Sequence, residues 1–229
     1  MRVTADRAIG AIGAIGLAGA LGAGCLGSSA DFVAASAEET GGPALVRVTQ
    51  PVQNPGESKL EAANDAPPYP EGPYGYIVGD VAPPFAVAGD GPDDAWTSET
   101  LWAWGQYAGG PRILALALLS DSCHCCLHEA PVLQSWHARY GPDGLFVLGV
   151  GTGMTPDYAE EFWLEGVEHD HPWAADPTFA MFPWSDPAQT GMAASPSVTF
   201  VDLSTMRIVG AQMGQFSGGE AIFEPLLAD

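Results

Sequence analysis

A run of apolar residues followed at once by closely spaced cysteines constrains the fold of this chain most. The run, Ile113–Leu119, does not alternate apolar with polar residues, which is typical of a strand covered on both faces of a parallel or mixed sheet. Apolar residues then recur at helical spacing; they are Leu127, Ala130, Val132, Leu133 and Trp136. The sequence therefore predicts a buried strand that turns into a helix, with the cysteines in its first turn.

The spacing of the cysteines indicates which sulfurs can pair. Cys125 and Cys126 are neighbours, with Cα atoms ~3.8 Å apart, which is below the usual disulfide range of ~4.4–6.8 Å. Cys123 and Cys125 do not face each other on a helix, whereas Cys123 and Cys126 share a face. We therefore expect Cys123 and Cys126 to be the working pair. A thiol at a helix N-terminus is also expected to have a lowered pKa, because the N–H groups there favour negative charge.

These residues resemble the thioredoxin superfamily, in particular the exported thiol–disulfide oxidoreductases of the TlpA/ResA type. The motif C-x-x-C-x-x-E-x-P runs from Cys123 through Glu129 to Pro131. Residues 79–85 are similar to that family's G-x-x-A-P-x-F segment, and residues 195–202 resemble its cis-proline loop and following strand. The resemblance covers roughly residues 75–229. It implies an α/β, thioredoxin-like fold, with a central mixed sheet flanked by helices and a TlpA-type insertion between the cysteine helix and the cis-proline loop.

The resemblance also implies a role for each motif residue. Cys123 would be the nucleophile that attacks a partner disulfide, and Cys126 would resolve the mixed disulfide. Glu129, one helical turn beyond Cys126, would handle the proton of that cysteine or raise its pKa. No bound cofactor is expected for this chemistry. The alternatives are a structural disulfide at the cysteines and an ordinary solvated carboxylate at Glu129.

The predicted cis-proline loop supplies the remaining site residues. Pro196 in cis would place Ser195 beside the cysteines and offer backbone with which a substrate strand could pair. Ser195 and Ser197 are therefore expected to contact the client protein. A turn proline in the trans form is the alternative.

The chain also differs from the family pattern near the cysteines. Ser122 stands where a tryptophan is usual, and Ala117 stands where thioredoxins often carry an aspartate, so no buried carboxylate is available there as a proton acceptor. The residues between the two working cysteines are His124 and Cys125. These differences bear on the redox potential and the rate rather than on the fold. By geometry, Cys125 is expected to be dispensable for disulfide exchange.

The same residues are also compatible with a second functional class, metal binding. The cysteine segment contains a compact set of sulfur and nitrogen donors suited to Cu(I) or Zn(II), namely Cys123, His124, Cys125, Cys126 and His128. The alternative function is therefore copper delivery, as in Sco-type proteins of the same superfamily. Those proteins usually carry C-x-x-x-C and a distant histidine, and the present C-x-x-C spacing favours the oxidoreductase. His169 and His171 are expected to be surface or packing residues.

The charge of the chain limits its partners. The sequence holds 28 acidic and seven basic residues, for a formal net charge of −21. Such a surface repels nucleic acid and anionic lipid headgroups. The expected partners are therefore client protein thiols and disulfides and a redox donor whose identity the sequence does not give.

The N-terminal part of the chain predicts export. Residues 1–24 combine a short basic start with an apolar stretch and are interpreted as a lipoprotein-type signal peptide. Leu21-Gly22-Ala23-Gly24-Cys25 resembles a bacterial lipobox, so Cys25 is expected to be lipidated and to anchor the protein at the periplasmic face of a membrane. An ordinary secretory signal is the alternative. Residues 25–73 are rich in Ala, Ser, Glu, Gly and Pro and predict a flexible tether, and residues 74–229 form the thioredoxin-like domain.

The remaining elements are predicted from capping and apolar patterns. Ser98 is expected to cap a short helix, and Thr155 another that runs to residue 167. The other predicted elements are a helix over 123–140, strands at 145–150, 171–174, 198–201 and 207–213, a helical turn at 177–182 and a closing helix at 219–227.

Overall fold

The computed structural model describes residues 66–166, 169–185 and 195–228. Its strands are β1 (Ala86–Gly89), β2 (Ala95–Thr97), β3 (Ile113–Leu119), β4 (Leu145–Thr152), β5 (Trp173–Asp176), β6 (Ser197–Asp202) and β7 (Arg207–Met213). Its α-helices are α1 (Ser98–Gly105), α2 (His124–Tyr140), α3 (Pro156–Glu161) and α4 (Glu220–Leu227). A π-helical turn at Phe162–Gly166 follows α3, and short 3₁₀ turns lie at Pro92–Asp94, Gly141–Asp143 and Phe182–Ser185. No helix among these described residues is both long enough and apolar enough to cross a membrane.

The strands form one mixed sheet in the order β2-β1-β5-β4-β3-β6-β7. Strand β3 is parallel to β4, which is parallel to β5, whereas β6 runs antiparallel to both β3 and β7. Strand β1 runs antiparallel to β2 and β5. The central mixed sheet flanked by helices is the predicted α/β architecture, which is thereby confirmed. The predicted signal peptide and Cys25 lie outside the described residues.

Strand β3 is buried over its whole length, as its uninterrupted apolar sequence predicts. Its odd-numbered residues face a core that includes Leu133 and Trp136 of α2 and Phe223 of α4. Its even-numbered residues face a second core that includes Leu101 and Trp102 of α1. Since successive side chains of a strand point to opposite faces, two cores require apolar residues at every position. The central strand is therefore covered on both sides.

The predicted cap of α1 is wrong by one residue. Thr97 is the N-cap, and its side chain accepts a hydrogen bond from the N–H of Thr100 at 3.0 Å. Ser98 is instead the first helical residue and is fully buried. Its hydroxyl accepts a hydrogen bond from the Phe85 N–H at 3.1 Å. The serine thus joins the helix to the segment before β1, while the threonine, which can cap equally well, starts the helix.

Three elements between β4 and β6 also differ from the predictions. The predicted strand at 171–174 forms two residues later, because its pairing with β4 begins at Trp173 opposite Gly149. The predicted turn at 177–182 is held by the Asp176 carboxylate, which accepts hydrogen bonds from two N–H groups of the following loop at 2.8 Å, and the 3₁₀ turn comes after it. The predicted helix from Thr155 does have Thr155 as its N-cap, but its α-helical part ends at Glu161.

Packing of the domain begins upstream of the predicted start at residue 74. The Tyr69 hydroxyl donates to the carbonyl of Ala82 at 2.8 Å. The indole N–H of Trp102 donates to the carbonyl of Pro67, also at 2.8 Å. These contacts join the segment before residue 74 to the second core. The predicted tether therefore includes residues that belong to the folded domain.

His171 is packed inside the domain rather than on its surface. Its side chain is 1% exposed, and its Nδ1 lies 2.9 Å from the carbonyl oxygen of Pro172, so this nitrogen carries the proton. The ring fills space that a Cβ at Gly149 would enter, and it lies 5.2 Å from the ring of Trp163. Burial, with a smaller contribution from the neighbouring His169 and His137, lowers the pKa of His171 to about 3, although the hydrogen bond to Pro172 opposes the shift. His171 is therefore neutral in the folded protein at ordinary pH.

This burial predicts acid sensitivity. The ordinary pKa of histidine is near 6.5, so between pH 6.5 and about 3 the unfolded chain binds a proton at His171 that the folded chain does not bind. The free energy of unfolding should therefore fall on acidification through this window, by at most about 1.4 kcal/mol per pH unit from this group. Denaturant unfolding at a series of pH values in the wild type and His171→Asn measures the contribution, which the variant should lose.

An exposed histidine supplies the matched control for this prediction. His124→Asn replaces an exposed histidine on the surface of α2, and the loss of pH dependence expected for the buried His171 should not occur in it. An equal pH dependence in the wild type and in His171→Asn would contradict the assignment of His171 as a buried neutral base.

Candidate active site

Cys123 lies at the N-terminus of α2, after the turn that follows β3. It is the N-cap residue, and its sulfur accepts a hydrogen bond from the Cys126 N–H at 3.2 Å. The same sulfur lies 3.2 Å from the carbonyl oxygen of Ser195, to which its S–H can donate. Cys123 is partly exposed. The sulfur is thus reachable from solvent and has one backbone donor aimed at it, as expected for an attacking thiol.

Cys126 lies one turn further into α2 and is fully buried. Its sulfur accepts a hydrogen bond from the Ser120 N–H at 3.4 Å and lies 3.1 Å from the Ser195 hydroxyl. Burial and, to a smaller extent, the contact with Cys123 raise the pKa of Cys126 to about 12, although the Ser195 hydroxyl and the Ser120 N–H act in the opposite direction. The two thiols of the predicted pair therefore differ in access: Cys123 faces solvent, and Cys126 is closed off from it.

The predicted cis-proline loop lies against both sulfurs. The peptide bond between Ser195 and Pro196 is cis, as predicted. Ser195 contacts Cys123 through its backbone carbonyl and Cys126 through its hydroxyl. The loop is held from the other side by the Gly214 N–H, which donates to the carbonyl of Pro196 at 2.8 Å. The structure thus brings Ser195 into contact with two cysteines that lie 72 and 69 positions before it in the sequence.

Ser197 does not lie where a client contact needs it. It is the first residue of β6, its side chain is 1% exposed, and it pairs with Leu118 on one side and Met213 on the other. The predicted substrate contact of Ser197 is therefore not supported, because neither its side chain nor its backbone faces solvent. Ser195, in contrast, is exposed.

Glu129 is neither a solvated carboxylate nor a partner of the Cys126 sulfur in this structure. It is buried, and its Oε2 accepts a hydrogen bond from the Phe216 N–H at 2.8 Å. Phe216 lies in the connection between β7 and α4, where its ring stacks on that of Trp136 in α2. The carboxylate thus ties this connection to the helix that carries the cysteines. The predicted proton-handling role of Glu129 has no direct contact to support it.

Ala117 marks the place where a buried carboxylate is absent. It is fully buried in β3 and pairs with Gly149 of β4 and Val198 of β6. Neither neighbour carries a group that can accept a proton. The core beneath Cys126 is apolar at this point.

The donors of the alternative metal site are not gathered into one. His124 and His128 are exposed on α2, with ring centroids 5.0 Å apart. Cys123 and Cys126 are free thiols. Within the ranges that the structure describes, no group of three histidine, cysteine, aspartate or glutamate residues is placed to hold a metal ion.

Sequence reasoning missed Ser120 and the hydroxyl role of Ser195. Both contacts to Cys126 arise from segments that flank neighbouring strands, namely the end of β3 and the start of β6. The position of Ser120 directly after a buried strand was the available signal, since the residues that follow such strands meet at one edge of the sheet.

Comparisons with known proteins agree with this fold. No family model and no curated protein matches the chain. Among solved structures, a protein of Chlorobium tepidum assigned as thiol:disulfide interchange protein DsbE shares 22% identity, covers 66% of this chain and 96% of its own, and has a TM-score of 0.50. A thioredoxin-family thiol:disulfide interchange protein of the same organism shares 14% identity, covers 69% and 97%, and has a TM-score of 0.49. An exposed lipoprotein thioredoxin of Streptococcus pneumoniae shares 19%, covers 64% and 98%, and has a TM-score of 0.45.

The similarity at a TM-score of 0.50 extends over nearly the whole of the first Chlorobium protein. The chain therefore has the thioredoxin-like fold that its motif residues predict. At this level of identity the comparison shows the fold, and the chemistry has to be argued from the site itself.

The difference in burial predicts which thiol reacts. In the reduced, folded protein at pH 7, iodoacetamide should label Cys123 at least about a hundredfold faster than Cys126, since the reactive thiolate is scarce at a buried sulfur of raised pKa. Peptide mass mapping after short labelling times measures both rates. In denaturant the two rates should become similar. Comparable labelling of both cysteines in the folded protein would contradict the assigned burial of Cys126.

Proposed function

We propose that this protein is an exported thiol–disulfide oxidoreductase that exchanges disulfides with client proteins through Cys123 and Cys126. The observation that carries the proposal is the site itself: two free thiols in one helical turn, one partly exposed and one buried, with the cis-proline loop contacting both sulfurs. A structural disulfide would not need one accessible sulfur beside an open loop. The thioredoxin-like fold and the thiol:disulfide interchange proteins that share it support the same chemistry.

The exchange begins at Cys123. Its thiolate attacks one sulfur of a client disulfide, so that a bond forms between Cys123 and that sulfur while the client disulfide breaks. The second client sulfur leaves with the electron pair and takes up a proton. The Cys126 N–H, 3.2 Å from the Cys123 sulfur, stabilises negative charge on that sulfur before the attack.

Cys126 completes the exchange. Its thiolate attacks the Cys123 sulfur, the Cys123–Cys126 disulfide forms, and the first client sulfur leaves as a thiolate. The sequence of steps runs in either direction according to the reduction potentials of the protein and its partner. The catalytic residues are therefore Cys123 and Cys126, the Ser195–Pro196 loop forms the client-facing wall, and Glu129 holds α2 to the β7–α4 connection.

The copper-delivery alternative gains no observation in its favour from the described residues. The C-x-x-C spacing and the contact of the cis-proline loop with both sulfurs favour the oxidoreductase. The side chains of His124 and His128 are exposed on α2. Metal content of protein purified under reducing conditions separates the two classes.

The proposed location is the periplasmic face of a bacterial membrane, with a lipid on Cys25. Its support is the apolar segment before Cys25 and the lipobox-like residues 21–25. The acidic surface would keep the domain away from anionic headgroups, so the lipid and not the charge would provide attachment.

Client trapping tests the proposed function. Cys126→Ser should accumulate covalent mixed disulfides between Cys123 and client proteins, because the resolving thiol is absent. Cys123→Ser should trap nothing, since Cys126 is buried. Non-reducing electrophoresis followed by mass spectrometry identifies the bridged cysteine. Adducts on Cys126 in Cys123→Ser, without adducts on Cys123 in the converse variant, would overturn the assignment of the two roles.

Lipidation of Cys25 is tested separately. The intact mass of the protein from the membrane fraction should show acylation, and Cys25→Ser should abolish both the added mass and the membrane association. An exported wild-type protein that is unmodified and fully soluble would rule out the anchor, and would leave the disulfide chemistry untouched.

A further inference from the structure

The Ser195 hydroxyl lies 3.1 Å from the Cys126 sulfur, and it joins a buried group to the surface. Cys126 is fully buried, whereas Ser195 is exposed. A thiol without contact to water cannot give up its proton unless a neighbouring group accepts it. Cys126 therefore needs a neighbouring group that takes up its proton.

The other groups near Cys126 are not placed to accept its proton during resolution. The Ser120 N–H, 3.4 Å from the sulfur, can donate a hydrogen bond but cannot accept a proton. The Glu129 carboxylate accepts from the Phe216 N–H, and Ala117 carries no polar group. Cys123 contacts Cys126 in the reduced protein, but in a mixed disulfide its sulfur is bonded to the client and bears no charge. At the moment of resolution, the Ser195 hydroxyl is the remaining acceptor among the described side chains at this sulfur.

We propose that Ser195 is a catalytic residue of the resolving step: its hydroxyl passes the Cys126 proton to solvent and then donates its own O–H to the thiolate. This role rests on the proposed disulfide exchange. A hydroxyl suits both halves of the task, because it is an acceptor and a donor. A hydrogen bond donated to an ionised sulfur is stronger than one between neutral groups, so the hydroxyl stabilises the thiolate more than the thiol.

The step balances without an added oxidant or reductant. The Cys126 proton leaves through the hydroxyl to water, and the sulfur's electron pair forms the new bond to the Cys123 sulfur. The bond between Cys123 and the client sulfur breaks, and the client sulfur leaves with that electron pair and takes a proton from water. The backbone carbonyl of Ser195, 3.2 Å from the Cys123 sulfur, stays in place throughout.

The test uses the full chain with Cys25 and Cys125 replaced by serine, so that Cys123 and Cys126 are its only thiols. The reduced protein is mixed with the chromogenic disulfide dithiobis-nitrobenzoate in a stopped-flow instrument. The first release of coloured thiolate reports capture by Cys123, and the second reports resolution by Cys126. The two steps of the mechanism are thus timed in one experiment, independently of any client protein.

Two comparisons isolate the effect of the Ser195 hydroxyl: the parent with Ser195→Ala, and Ser195→Thr with Ser195→Val. Ser195→Ala removes the hydroxyl and keeps the backbone carbonyl that contacts Cys123. Ser195→Thr and Ser195→Val have nearly the same shape and differ in the hydroxyl, so their comparison is informative even if the alanine variant folds poorly. Glu129→Gln keeps an oxygen for the Phe216 N–H and removes the acid–base group.

We expect the second release to slow by about tenfold or more in Ser195→Ala, and in Ser195→Val relative to Ser195→Thr. Its pH midpoint should move upward in the variants without a hydroxyl, which a merely structural role would not cause. The first release serves as the internal reference for each variant, so the compared quantity is the ratio of the second-release rate to the first-release rate. Equal second-phase rates and pH midpoints in Ser195→Thr and Ser195→Val would overturn the proposal. So would a second phase that slows in Glu129→Gln and is unchanged in Ser195→Ala, since the proton would then pass through the carboxylate.

The proposed function can fail independently of this inference. Reduction of the insulin disulfides by the parent protein tests exchange with a protein substrate. The parent protein could resolve the chromogenic disulfide in a hydroxyl-dependent manner, yet fail to reduce insulin and trap no client. That result would contradict the proposed function and support the role of Ser195. A parent active on insulin, with equal second phases in the threonine and valine variants, would contradict the role of Ser195 alone.

Discussion

The site depends on the antiparallel pairing of β3 with β6. Leu118, near the end of β3, pairs with Ser197, the first residue of β6. The turn that follows β3 carries the cysteines, and the loop that precedes β6 carries Ser195 and Pro196, so this register sets the two segments side by side. A shift of one residue would move every side chain of β3 to the opposite face, so residues that fit one core would have to pack in the other. The complete burial of β3 thus positions the chemistry as well as the core.

The features that could be predicted from the sequence are those that depend on local patterns of residues. The unbroken apolar run of β3 requires cover on both faces, and the structure supplies it from α1 on one side and from α2 and α4 on the other. The spacing of Cys123 and Cys126 follows from helical geometry alone. The Ser195–Pro196 cis bond was predicted from a motif whose resemblance extends over several residues. Each of these inferences needed no knowledge of a distant contact.

The inferences that went wrong or were missed depend on distant contacts. Ser197 looks like a second loop serine in sequence, but its pairing with two neighbouring strands buries it. For His171 the sequence left a surface position and a packing position open, and the structure selects the packing position, because Gly149 and Trp163, from other elements, leave a space that an imidazole fills. The Ser195 hydroxyl reaches Cys126 only once β3 and β6 have paired. Single-sequence patterns contain no record of which residue will lie across a sheet, so these features become visible only in the folded chain.

Ionisation of Cys126 poses the main physical conflict in the site. A neutral thiol can be buried at little cost, but its thiolate loses hydration, which is why burial raises the pKa of Cys126 to about 12. A carboxylate at Ala117 could accept the proton, but it would need polar partners in a core where Gly149 and Val198 offer none. A hydroxyl on the exposed cis-proline loop avoids that cost, because Ser195 remains in contact with water. The core beneath the cysteines then stays apolar, and the reactivity of the buried thiol is set at the boundary between core and solvent.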